Sequence, residues 1–268
     1  MYSALLHFCM ATRITFLGTA GENCVIYKYD KSAGGILIEH EGQFFLLDPG
    51  PGALVQAGKV RFNFRENTAI ILSSPRLEQC NDVNAVIDAM TASGLDKRGV
   101  LLGDMKSFNG ESILLEKYKS WLERIIHLEP GKRVGIEDLD MEALPTKNND
   151  SIGVSFLTKD GKITYTSNTT YTKEICESYM GSDVMIINVF NPRGVSTPGF
   201  LNTADAIDII QTVKPKLALI THFGLKMIKA EPLYEAREIQ KFTNIQIIAA
   251  KEGLSVSLTP YSSSVIVK

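Results

Sequence analysis

The sequence predicts a mixed α/β (α+β) chain arranged as a four-layer αββα sandwich. Three observations carry that prediction. Strand-sized apolar runs, such as Val184-Met-Ile-Ile187 and Leu217-Ala-Leu-Ile220, recur along the chain. They alternate with segments of helical period. Strands dominate the start of each half and helices follow, and two β-rich layers covered by helices give every apolar face a partner. With 268 residues, 44% of them hydrophobic, the chain can bury one large core, or two fused half-domains sharing one.

The elements follow in order. Thr12 to Leu17 is apolar and β-branched enough for a strand, ended by Gly18-Thr-Ala-Gly21. Gly35 to Glu39 and Gln43 to Leu47 read as a hairpin across His40-Glu-Gly42, where the glycine serves the turn. Asp48-Pro-Gly-Pro-Gly52 stops regular structure. Ala69 to Leu72 is a buried strand. Asp82 to Ser93 is a helix with Val83, Val86, Ile87 and Met90 on one face and Gly94 as its cap. Gly99 to Ala143 is mostly extended and holds the only tryptophan, Trp121. Within it, Leu101 to Ser112 is glycine- and serine-rich and is expected to be a mobile loop. Ile152 to Leu157 and Ile163 to Ser167 pair across Lys159-Asp-Gly161. Thr172 to Tyr179 is a short helix and Asp183 to Val189 a strand. Thr203 to Val213 is a helix capped by Asn202 or Thr203. Leu217 to Thr221 is a strand, Glu231 to Phe242 a helix, and the strands Ile245 to Ala249 and Leu254 to Leu258 finish the sheets.

Composition narrows the function classes. A net charge of −2 with no run of five like charges gives no general nucleic-acid surface. The longest apolar runs are too short to cross a bilayer. Cys9, Cys24, Cys80 and Cys176 form no C-x-x-C pair and no disulfide framework, the pattern of reduced thiols in a cytoplasmic protein. The opening Met1-Tyr-Ser-Ala-Leu-Leu-His-Phe-Cys9 lacks the basic start and cleavage site of a signal peptide. Residues 1–10 are therefore read as a disordered or mis-called arm, and 11–268 as a single domain. His7, His40 and His127 lie in no motif.

The stretch Thr68-Ala-Ile-Ile-Leu-Ser-Ser-Pro-Arg-Leu-Glu-Gln-Cys-Asn-Asp82 joins a buried strand to a loop and a helix. It resembles the segment of the metallo-β-lactamase superfamily that carries the metal motif His-x-His-x-Asp-His. Here those positions are Ser74, Arg76, Glu78 and Gln79. Gly34-Gly-Ile-Leu-Ile-Glu39 through Leu46-Leu-Asp-Pro-Gly-Pro-Gly-Ala53 is similar to the family's opening strands. Pro145-Thr-Lys-Asn-Asn-Asp-Ser-Ile-Gly-Val154 would place the next metal histidine at Asn148. Ile163-Thr-Tyr-Thr-Ser-Asn-Thr-Thr-Tyr171 would place the metal-bridging aspartate at Asn168. Leu217-Ala-Leu-Ile-Thr-His-Phe-Gly224 would place the last metal histidine at His222, which is retained. The resemblance spans about Ile14 to Leu258, to stand-alone predicted metal-dependent hydrolases, and it implies a metallo-β-lactamase-like sandwich. In such proteins the family implies a dizinc-type site that makes a bridging hydroxide for attack on an ester, amide or phosphodiester.

The departures change that expectation. Zinc needs imidazole, carboxylate or thiolate ligands, about four per metal. Ser74 is a poor ligand, Arg76 is permanently cationic, and Gln79 and Asn148 offer only amide oxygens. Asn168 removes the anionic bridge. Glu78 and His222 remain, and two ligands do not hold zinc tightly. No metal is expected, and zinc or another divalent ion enters only if the site is rebuilt. Arg76 is expected to stand in for the cation and pair with Glu78, with Ser74, Gln79, Asn148 and Asn168 supplying the further hydrogen bonds such a pair needs; the competing reading leaves Arg76 solvated on a loop. Cys80 could add a soft ligand but reads better as a small buried residue. His222, without its companions, reads as a hydrogen-bonded core histidine. Asp48 is expected to accept backbone hydrogen bonds at a turn, with a supporting role behind the site. Lys147 and Arg193, with Arg76, could form a small anion site.

The expected function is a non-catalytic or binding pseudoenzyme of the hydrolase superfamily, taking an unknown small-molecule or protein ligand. The alternative is a hydrolase with a rebuilt mononuclear or metal-free site, acting on an ester, amide or phosphodiester with Glu78 or His222 as general base. A nucleic-acid enzyme is the weakest reading. A homodimer is the default assembly.

Overall fold

The computed structural model describes residues 11–104, 108, 113–258 and 266–267. The expected N-terminal arm and most of the expected 101–112 loop lie outside the described residues. Leu101–Gly103 do not belong to a loop: they are strand, and Phe108 is buried.

One sheet takes β1 Arg13–Gly18, β2 Ala33–His40, β3 Gln43–Leu47, β4 Asn67–Leu72, β5 Val100–Gly103 and β6 Arg124–His127. The chain then crosses to a second sheet of β7 Arg133–Ile136, β8 Leu139–Leu144, β9 Gly153–Thr158, β10 Gly161–Tyr165, β11 Val184–Asn191 with the short β12 Leu201–Asn202 beside it, β13 Leu217–Thr221 and β14 Gln246–Ala249. It returns with β15 Ser255–Ser257 and β16 Ile266–Val267. The orders are β16-β15-β1-β2-β3-β4-β5-β6 and β14-β13-β11-β10-β9-β8-β7.

Both faces of the central strands are buried, which is why their sequences read as unbroken apolar runs. Ile14, Phe16, Ile38, Phe45 and Ile71 of the first sheet meet Val154, Phe156, Ile163, Ile186 and Leu219 of the second in the central core. The alternate residues point outward. Leu46, Ile70 and Leu72 pack under the helices α2 Ala53–Lys59, α3 Leu77–Cys80 and α4 Val83–Thr91, in a cluster with Ala53, Cys80, Val83 and Val86, while α1 Asn23–Tyr29 packs apart from them against Leu225 and Ile228. Met185, Ile187 and Ile220 pack under helices of the other half, among them Thr203–Val213 and Pro232–Thr243. Four layers result.

Local deviations from the sequence expectation have local causes. The helix expected to run to Ser93 stops at Thr91, because Ala92 and Ser93 already adopt left-handed backbone. Gly94 follows at φ 80° with its α-carbon against the indole of Trp121, where a side chain would collide. The later helix is capped by Asn202 in a full capping box with Asp205. Asn23–Tyr29 and Ala53–Lys59 are helices that periodicity did not reveal, since each is seven residues long and buries only one or two side chains.

Candidate functional site

The resembling motifs converge because each sits just beyond the carboxyl end of a strand. β3 and β4 run parallel, and so do β10, β11 and β13. The ends of β3, β4, β10 and β13 deliver Asp48, Ser73, Ser167 with Asn168, and His222 to one edge of the sandwich, the usual place for a site in parallel sheets. Asn188, inside β11 in register with Thr221, joins them there.

Asp48 is the hub, and it is buried. Its Oδ1 accepts from the Ser73 backbone N–H at 2.7 Å. Its Oδ2 accepts from Ser73 Oγ at 2.6 Å, Tyr165 OH at 2.8 Å and Gln79 Nε2 at 2.9 Å. Burial pushes the Asp48 carboxyl above the ordinary carboxylate range, and the four donors pull it back. Beyond this hub, Asn168 Nδ2 donates to Gln79 Oε1 at 2.6 Å, and Asn188 Nδ2 donates to Asn168 Oδ1 at 3.1 Å and Tyr165 OH at 3.0 Å. Asn148 Nδ2 donates to the carbonyls of Asn168 and Gly199 at 2.9 and 2.8 Å.

Arg76 and Glu78 do pair, Nε to Oε1 at 2.7 Å. The pair is not buried as a unit: the Glu78 side chain is 8% exposed and the Arg76 side chain 42%. Gln79, Asn148 and Asn168 do not serve this pair as expected. They are engaged with Asp48, with one another and with backbone, because the strand ends bring amide to amide. Among the described residues, Ser74 Oγ accepts only the Arg76 backbone N–H, at 3.4 Å. The Arg76 guanidinium lies 5.0 Å from the Phe200 ring centroid, and Phe200 stacks on Phe190 at 4.2 Å.

His222 is buried with φ 61°. Contrary to expectation its Nε2 has no hydrogen-bond partner among the described residues, and neither has Asn188 Oδ1. Both residues line a cavity of about 20 Å³ with Glu78, Asp48 and Gln79, room for one water. Burial lowers the His222 pKa to about 4, with Glu78 opposing the shift and Arg76 adding to it. The native imidazole is therefore neutral where the unfolded one, near 6.5, takes a proton. That contribution is complete above pH 6.5 and is lost as pH falls toward 4, about 3 kcal/mol across the window. Denaturant titrations between those limits should show the slope, and His222→Asn, which suits a left-handed backbone, should flatten it. Equal slopes in both proteins would refute the assignment.

The donor set does not fit a dinuclear metal centre. Among the described residues, no group of three or more His, Cys, Asp or Glu side chains is placed to hold a metal ion. Asp48 is taken up by four donors, and Glu78 is engaged by Arg76. The Cys80 thiol is pushed up to about 12 by burial and the nearby carboxylates, and donates to the carbonyls of Pro75 and Arg76. Among the described residues lining this cavity, His222 Nε2 is the one unpartnered nitrogen, beside the amide oxygen of Asn188. Lys147 and Arg193 do not join Arg76: they pair with Glu174 at 3.9 Å and Glu238 at 2.5 Å, and neither lines a cavity at Glu78.

Sequence reasoning missed Ser73, Tyr165, Asn188, Phe190 and Phe200. Asn188 had a signal, a polar side chain inside the otherwise apolar strand Val184 to Val189. The aromatic pair had none, since it is made by contact between β11 and the loop before β12.

The chain matches the model of the beta-lactamase superfamily domain over residues 44–223. It is 31% identical over 257 residues to the protein MJ1374 of Methanocaldococcus jannaschii, covering 93% of this chain and 96% of that one. Among solved structures it is similar to the metallo-beta-lactamase fold protein YhfI of Bacillus subtilis, with TM-score 0.77, 17% identity, and 91% and 98% of the two chains covered. It is also similar to the short form of human tRNase Z, with TM-score 0.72, 14% identity, and 92% and 99% covered. At these identities the solved structures speak to the fold alone. The family match over 44–223, the related archaeal chain and the paired sheets agree, and the protein belongs to the metallo-β-lactamase superfamily.

Proposed function

We propose that this protein is a metal-independent binding member of the superfamily, in which Arg76 supplies the positive charge of the site. The observation that carries the reading is the pairing of Arg76 with Glu78 at 2.7 Å at the mouth of the site, where the family pattern has metal ligands. A guanidinium cannot ligate and repels a dication. The amides of Gln79, Asn148 and Asn168 support the same reading, because each is engaged with another protein group. A hydrogen-bonded polar network of this kind rigidifies a site without needing an ion.

Metal stoichiometry tests the reading. Untagged protein exposed to zinc, manganese and iron and then dialysed should retain under about a tenth of an equivalent of each by elemental mass spectrometry. One or more tightly held equivalents would replace this reading with a rebuilt hydrolase site, and substrate screening against esters, amides and phosphodiesters would follow.

A further inference from the structure

A cleft of about 550 Å³ opens outside Glu78, lined by Arg76, Phe190, Phe200, Lys226, Asn191 and Thr197 among others. That volume lies in the range of small-molecule sites, about 300–1,000 Å³. We infer that the cleft binds a flat aromatic carboxylate, with the acid on Arg76 and the ring against Phe190 and Phe200. The inference rests on the metal-free reading above.

The Arg76 guanidinium is both fixed and underused. Its Nε is engaged by Glu78 and its face lies over Phe200, yet its two terminal amino groups donate to no described residue. A guanidinium held this way offers two parallel donors, the geometry that a carboxylate or phosphate accepts in bidentate fashion. Charge selects between those two acids. Lys226 forms no ion pair among the described residues, so the cleft carries two cations. It also carries two carboxylates: Glu78, held by Arg76, and Glu22, whose Oε2 accepts from the Leu225 N–H at 2.8 Å. Two cations against two carboxylates suit one added negative charge better than two, which favours a carboxylate over a dianionic phosphate.

The ring specificity comes from the stacked pair. Phe190 and Phe200 stack on each other at 4.2 Å and 29° and both line the cleft, so a ligand ring that touches both meets their edges beside the guanidinium. Edge-to-face contact favours an aromatic ring over a saturated one. The loop carrying Phe200 is braced from two sides. Asn148, at a former ligand position, binds the Gly199 carbonyl, and Asn191 Nδ2 donates to Thr197 Oγ1 at 2.9 Å. A preformed wall spares a ligand the cost of ordering it.

The test is an NMR titration of the intact protein with 2-naphthoate, cyclohexanecarboxylate and phenyl phosphate, beside metal analysis of the same preparation. 2-Naphthoate should saturate with Kd about 1 mM or tighter, by the affinity expected per ligand atom. Cyclohexanecarboxylate, equally charged but without a flat ring, should bind about fivefold more weakly, and phenyl phosphate should also bind more weakly. Arg76→Gln should weaken 2-naphthoate about tenfold or more, and Arg76→Lys, which keeps the charge and loses the fork, should weaken it too. Phe200→Leu keeps both members of the Arg76–Glu78 pair but removes the ring, and with it the ring's contact to the guanidinium, and should erase the preference for the flat ring. Arg193→Gln should change nothing. No saturation by about 20 mM, or unchanged affinity in folded Arg76→Gln, overturns the inference alone if the protein is metal-free. Binding that depends on a retained metal and vanishes with chelator overturns the metal-free reading together with it.

Discussion

Asp48→Ala should destabilise the folded protein by about 4 kcal/mol. The substitution strands four donors at once: the Ser73 N–H, the Ser73 and Tyr165 hydroxyls and the Gln79 amide. A buried donor left unsatisfied costs about 1–3 kcal/mol. The hydroxyls offset part of that, because Ser73 Oγ can turn to Ser167 Oγ at 2.7 Å and Tyr165 OH has Asn188 beside it. Backbone adds a further penalty of about 1 kcal/mol, since Asp48 stands at φ 53° and alanine tolerates that region poorly. Asp48→Asn separates the two contributions. It suits the left-handed backbone and keeps one carbonyl oxygen for the donors, so its loss should be about 1–2 kcal/mol. Urea unfolding with unchanged m-values reads both. A loss under about 1 kcal/mol for Asp48→Ala would mean that this hub does not hold the two sheets' edges together.

The sequence exposes the sheets and the motif positions far better than it exposes what the motif positions do. Runs such as Leu217 to Ile220 announce strands buried on both faces, and a parallel sheet needs that composition. The order of the motifs then places Glu78, Gln79, Asn168 and His222 together, and the strand ends do bring them together. Partner choice is different, because it depends on distances of an ångström or two between residues far apart in the chain. Arg76 meets Glu78, two residues away, as a local reading anticipates. Gln79 instead meets Asp48 and Asn168, 31 and 89 positions away. His222 reads from the sequence as a hydrogen-bonded core histidine, yet its Nε2 has no partner among the described residues and the side chain lines a cavity. The Phe190–Phe200 wall depends on how one loop returns over β11, for which the sequence carries no periodic signal.

Restoring the family's ligands should convert the protein into a zinc binder. The six substitutions are Ser74→His, Arg76→His, Glu78→Asp, Gln79→His, Asn148→His and Asn168→Asp, with His222 retained. The backbone already brings these positions to one place. Glu78, Gln79 and His222 line one cavity, Asn168 reaches Gln79 at 2.6 Å, Asn148 reaches the Asn168 carbonyl at 2.9 Å, and Arg76 touches Glu78. The substitutions also reverse the electrostatics. They remove the fixed cation and add a carboxylate at 168 beside those at 48 and 78, so the cluster without an ion repels itself and should be less stable than the natural protein. Zinc supplies the missing charge and ligand bonds, and binding to the folded state alone raises stability by about 2.7 kcal/mol at a hundred times Kd. The variant should therefore melt below the natural protein in chelator and recover sharply with zinc, holding about two equivalents after dialysis. The natural protein should melt at the same temperature in both conditions. A variant that folds but takes up no zinc would show that the ligand positions are misassigned, since geometry and donor chemistry would then both be present without the ion they suit.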